Sequence, residues 1–132
     1  MAEGFTFGGG PLAETKYLGD WLKWEEEAGY SRAESNIVGA GADAEYPSGT
    51  VLETDGSTGM KIFDGTGTVL GILRDPVRVR VGETVPIAII KRMAVVDVRG
   101  LNPASYGSMT LAQIAAAIEA ALPTIICTRQ QG

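Results

Sequence analysis

Three glycines in the run Phe63–Leu73, at Gly65, Gly67 and Gly71, are the first residues whose spacing could do chemistry. A dinucleotide loop needs G-x-G-x-x-G directly after a strand, with the last glycine opening a helix whose N-terminal N–H groups hold the pyrophosphate. Here the spacing is one residue longer, and the following Thr68-Val69-Leu70-Gly71-Ile72-Leu73 has the β-branched, apolar character of a strand. The Gly-Lys-Ser/Thr of a phosphate loop is absent from it. The stretch reads instead as a hairpin: strand Met60–Phe63, turn Asp64-Gly65-Thr66-Gly67, strand Thr68–Leu73. Asp-Gly is a strong turn signal because both residues tolerate positive φ.

Other reactive types are sparse. The chain has no histidine, which removes imidazole acid–base chemistry and most zinc and iron sites. Its one cysteine, Cys127, lies in the apolar run Thr124–Thr128 and reads as a strand residue rather than a nucleophile, with no second thiol for an internal disulfide. Glu25, Glu26 and Glu27 are consecutive, so on a helix they point around the axis and read as a solvated face rather than a metal site. Met60-Lys61-Ile62 is similar to the Met-Lys-Met tip of biotinyl and lipoyl carriers, but Lys61 precedes the Asp64-Gly65 turn and the second methionine is missing. A small β-barrel carrier or ligand-binding module modified on Lys61 is therefore the alternative reading of the chain. No catalytic constellation, cofactor site or metal site is expected.

The elements that would position any site belong to one domain. At 132 residues and 45% hydrophobic composition the chain can bury one modest core. Its 18 glycines favour turns and short strands. Sixteen acidic against eleven basic residues give a net charge of −5, which speaks against a general nucleic-acid binder. Met1–Pro11 has neither the basic start nor the apolar core of a secretory leader, and no apolar run approaches the length of a membrane span.

Residues 1–16 read as a flexible N-terminal arm, broken by Gly8-Gly9-Gly10-Pro11 yet carrying Phe5 and Phe7; residues 17–132 read as the folded domain. A short helix is expected within Tyr17–Tyr30, with Tyr17, Trp21 and Trp24 on one face, covering either the core or a neighbouring subunit. Ser35–Gly41 suggests a strand and a turn, and six more strands follow: Thr50–Glu53, Met60–Phe63, Val69–Leu73, Val77–Val81, Pro86–Lys91 and Ala94–Val98. Ile87-Ala88-Ile89-Ile90 is apolar on both faces, as in a central strand or one covered by another subunit. One helix, Leu111–Leu122, is marked by the capping pattern Thr110-x-x-Gln113, by the stripe Leu111, Ile114, Ala115, Ile118 and Leu122, and by Pro123; Ile125–Thr128 returns as a strand. The fold class is β-rich α+β: a small barrel or sandwich with one helix in its C-terminal half.

The order of several short motifs resembles the head decoration proteins of tailed bacteriophages, the family of the lambda-type capsid-stabilising protein. The motifs are Leu22–Arg32, ending in Gly29-Tyr30-Ser31-Arg32, then Asn36-Ile37-Val38 with Gly41, Ser48-Gly49-Thr50-Val51-Leu52, Lys61-Ile62-Phe63-Asp64, Val69–Leu73, Ile87–Lys91 and Ala94–Val98. The resemblance covers about residues 17–130. Glu53 departs from the pattern, since a glycine is common there, and the Asp64–Val69 turn is shorter than in many members. The resemblance implies a non-enzymatic virion protein, made in the host cytoplasm. It would sit as a homotrimer on the outer capsid surface at local three-fold positions, cementing the major capsid protein after expansion. It further implies that the arm orders on the coat protein, with Phe5, Phe7, Pro11 and Leu12 as capsid-binding residues, and makes Trp21, Trp24, Ile87 and Ile89 candidates for a subunit interface. No nucleic acid or membrane is an expected partner.

Overall fold

A computed structural model describes residues 18–25, 31–39, 42–54, 56, 59–65, 67–106 and 108–128. One helical turn, α1 (Leu18–Trp21), leads into ten strands: β1 (Leu22–Glu25), β2 (Arg32–Val38), β3 (Ala44–Tyr46), β4 (Val51–Thr54), β5 (Met60–Ile62), β6 (Val69–Leu73), β7 (Val77–Val79), β8 (Thr84–Ile90), β9 (Ala94–Asp97) and β10 (Ile125–Thr128). The helix α2 (Leu111–Ala121) lies between the last two. Strands β2-β5-β4-β6-β8 close into a barrel, β1-β9-β10 form a separate three-stranded sheet, and β3 pairs with β7. The β-rich class, the late helix and most strand positions agree with the sequence reading.

Two hydrophobic clusters divide the interior. Ile37, Leu52, Met60, Leu73, Val79, Ile87 and Ile89 make one. The other joins Val51, Val69, Ile72 and Ile90 of the barrel to Ala94, Val96 and Ile125 of the sheet and to Ile114, Ala115 and Ile118 of α2. Adjacent residues of β4, β6 and β8 thus go to different clusters: Val51 and Leu52, Ile72 and Leu73, Ile90 and Ile89. These strands are apolar on both faces because both faces are buried. The run Ile87–Ile90 is central for that reason, lying in a strand paired with β2 on one side and β6 on the other.

Helix α2 begins as its sequence dictates. Thr110 Oγ1 accepts from the Gln113 N–H at 3.1 Å, and the Gln113 side chain accepts from the Thr110 N–H at 2.8 Å, a complete capping box.

Two expectations are corrected. Within the described part of the Tyr17–Tyr30 stretch, the expected short helix is the single turn Leu18–Trp21, and β1 follows at Leu22. Trp21 and Trp24 therefore do not share a helical face, and Tyr17 and residues 26–30 lie outside the described residues.

The second correction concerns the glycine-rich run. The strands Met60–Ile62 and Val69–Leu73 do not pair as a hairpin, because β4 lies between them, antiparallel to each. The connection must therefore cross the end of β4. Gly65 keeps its turn conformation at φ +96°, as the Asp-Gly signal requires. Glu53 of β4, a buried residue (4% exposed), holds the loop as it crosses: its Oε2 accepts the Asp64 N–H at 3.2 Å. The loop comes so close that a Cβ on Gly67 would overlap the Glu53 carboxylate. The local signal specifies a turn; the strand reached after it is chosen by the buried faces of β4 and β6.

Candidate functional site

The described residues hold no cluster of His, Cys, Asp or Glu fit to bind a metal ion, and no helix among them is long and apolar enough to cross a membrane. Lys61 is the middle residue of β5, opposite Glu53 on β4, and β2 lies on the other side of the same strand. A carrier lysine must stand on a protruding turn to enter a modifying enzyme, and this one does not. Cys127 is half-buried against the second cluster, and its N–H donates to the Glu119 carboxylate at 2.9 Å.

Trp21 anchors the start of the chain to the barrel. It is fully buried, and its Nε1–H donates to Ser48 Oγ at 2.9 Å, while that hydroxyl donates to the Arg74 carbonyl at 2.7 Å. Gly49, at φ +91°, lets the backbone run across the indole, where a Cβ would come within 2.9 Å of Trp21 Cδ1. The Gly49 N–H donates to the Leu73 carbonyl, and the Gly49 carbonyl accepts from the Asn102 N–H. Gly100 lies against the Asp20 carbonyl oxygen, leaving no room for a side chain. Ser48-Gly49-Thr50 is therefore the joint at which α1, the barrel and the segment after β9 meet. Thr50 completes it, donating to the Pro47 carbonyl at 2.7 Å and accepting from the Asn102 amide at 3.1 Å.

Trp24 has the opposite fate. It is 51% exposed on β1, directly opposite Val95 of β9, which is in turn opposite Ile126 of β10, itself 60% exposed. Side chains paired across a sheet share a face, so Trp24, Val95 and Ile126 form one apolar row. The other face of the sheet, carrying Leu22, Val96, Ala94, Ile125 and Cys127, packs on the core. Val95 and Ile126 were not singled out in the sequence. Both have apolar neighbours, so alternation does not distinguish outward residues from inward ones.

One end of the row is polar. The Asp97 carboxylate receives Arg99 Nη2 at 3.1 Å and the Arg99 backbone N–H at 3.0 Å. The hydrogen bond from the Arg99 guanidinium holds the Asp97 carboxyl below its ordinary range against the effect of burial, with the backbone bond and the charges of Arg99 and Lys23 adding to it.

Ile87 and Ile89 face the barrel interior and Trp21 the core, so these three are spent within the chain. Of the four subunit-interface candidates, Trp24 is the one with a large exposed surface. Phe5, Phe7, Pro11 and Leu12 lie outside the described residues. A shallow groove of about 520 Å³ lies elsewhere, lined by Glu34, Ser35 and Asn36 of β2 and Pro86, Ile87 and Ala88 of β8.

Compared with known families, residues 11–123 match the model of the bacteriophage lambda head decoration protein D. The chain belongs to that family. The match spans the barrel, the three-stranded sheet up to β9 and all of α2. No curated protein matches the chain. Membership makes this a structural protein of the phage head, associated with the capsid of the virion.

Proposed function

We propose that the protein binds the outside of the expanded capsid as a homotrimer at local three-fold positions and cements the lattice of the major capsid protein. The observation that carries this reading is the family match over residues 11–123, which takes in the folded body and the end of the arm. Residues 1–16 serve as the capsid-binding arm, with Phe5, Phe7, Pro11 and Leu12 as anchors, and residues 17–132 form the decoration domain. An extended arm can add a strand to an exposed sheet edge of the coat protein. Three arms on one rigid body bind far more tightly than one, because the second and third contacts form at high effective concentration. The role requires no catalysis. An acidic protein suits an outer surface separated by the shell from the packaged DNA.

The test is co-sedimentation of purified protein with expanded, undecorated capsids, comparing the full chain with a version lacking residues 1–16. Saturable binding by the full chain, weakened in the truncation, is the expected result. Equal binding by both would move the contact onto the folded domain, and no binding by either would end the decoration reading.

A further inference from the structure

The barrel closes on itself, but the sheet β1-β9-β10 is open, and an outer strand of an open sheet is a template for a strand from another chain. Among the described residues no strand pairs with the outer side of β10. The run Thr124-Ile125-Ile126-Cys127-Thr128 is uncharged and rich in β-branched residues, a composition that favours such addition. The donors along that side are nonetheless occupied. Successive residues of a strand turn their N–H groups to opposite sides, and β10 pairs with β9 on one side alone. The Ile125 N–H donates to the Leu122 carbonyl and the Cys127 N–H to the Glu119 carboxylate, each at 2.9 Å. Both therefore point away from β9. The first is taken by the turn that follows α2, the second by a side chain that reaches over from α2 itself.

We propose that Glu119 guards the edge of β10, closing the sheet to the β10 edge of a second copy. Without it, two identical uncharged edges would pair antiparallel about a two-fold axis. Glu119 acts in two ways. A carboxylate is a stronger acceptor for a backbone N–H than the carbonyl of an incoming strand. It also places a negative charge where that carbonyl would have to sit, and charge at an edge is a common means of blocking addition. The opposite edge of the same sheet is blunted differently: β1 has four residues, and its register with β9 shifts between Leu22 and Trp24. A short strand and a bulge both discourage pairing. The two outer strands thus carry separate devices with one effect.

Sedimentation equilibrium of the full chain and three variants tests this, with circular dichroism to establish folding and a reductant to keep Cys127 from cross-linking chains. Glu119→Ala uncovers the Cys127 N–H. Glu34→Ala removes the same charge from β2, away from the sheet. Glu119→Ala combined with Cys127→Pro removes the carboxylate and the donor together, at an outward edge position of the kind where proline is tolerated. The expected result is a mass for Glu119→Ala that rises with concentration toward about twice that of wild type, and wild-type mass for the other two. Amide exchange gives a second reading in dilute solution, and it stands even if the proline variant fails to fold. There the Cys127 amide should exchange about tenfold or more faster in Glu119→Ala than in wild type. Wild-type mass for Glu119→Ala at every concentration would overturn the guard. So would association that persists in the double variant or that Glu34→Ala reproduces, and so would unchanged exchange at Cys127. None of these readouts involves the capsid, so the guard and the decoration reading stand or fall separately.

Discussion

Trp21 and Trp24 are three residues apart and face opposite environments: the first is fully buried with its N–H on Ser48, the second is half-exposed beside Val95. The switch from helix to strand at Leu22 separates them. One indole holds the fold together and the other is available to a partner, so their substitution should have separable effects.

Trp21→Ala should destabilise the protein by about 3–5 kcal/mol, the usual cost of emptying a buried aromatic site. Trp24→Ala should change the stability of the isolated chain by no more than about 0.5 kcal/mol, as for other exposed positions. Urea unfolding of the two variants beside wild type, at concentrations low enough to keep the chains apart, measures both.

The joint at Gly100 gives a second prediction. A side chain there would overlap the Asp20 backbone carbonyl, which cannot swing away as a flexible side chain can. Gly100→Ala should cost about 1–3 kcal/mol through the shift it forces on α1. An unchanged urea midpoint would show that the first turn is not held where the fold places it.

Much of this architecture is legible in the sequence because it is local. Thr110 and Gln113 announce the start of α2, the stripe of Ile114, Ala115 and Ile118 gives its buried face, and Pro123 lies just past its end. The turn at Asp64-Gly65 is also local, and Gly65 adopts the positive φ expected of it. Strand pairing is not local. Whether Met60–Ile62 pairs with Val69–Leu73 or with Val51–Thr54 depends on which buried faces meet, and Glu53 acts on the loop from eleven residues before Asp64. The site shows the same division. Trp24 stands out by type, whereas Val95 and Ile126 join it only through the register of three strands distant in sequence.

Acid should reveal the Asp97–Arg99 pair. Because the folded-state pKa of Asp97 is depressed, its contribution to stability is fully present above the ordinary value of 3.8 and is lost as pH falls through the lower folded value. Asp97→Ala also removes the side-chain cap on the Arg99 N–H. The variant should be less stable than wild type by about 1 kcal/mol or more at neutral pH. That gap should narrow as the medium is taken below 3.8. Urea midpoints across this range check the sign; a gap that widens in acid would contradict it.

Helix α2 depends on its cap. Thr110→Ala removes the acceptor for the Gln113 N–H and should cost about 1 kcal/mol, with Thr110→Ser restoring most of it. Thermal unfolding followed by circular dichroism distinguishes the two variants.

Cryo-electron microscopy of expanded capsids incubated with the full chain tests the central claim most directly. The account predicts three-lobed density on the outer surface at local three-fold positions, with density for residues 1–16 continuing onto the coat protein. Capsids that remain bare under saturating protein, or carry it as isolated single copies away from the three-fold positions, would contradict it.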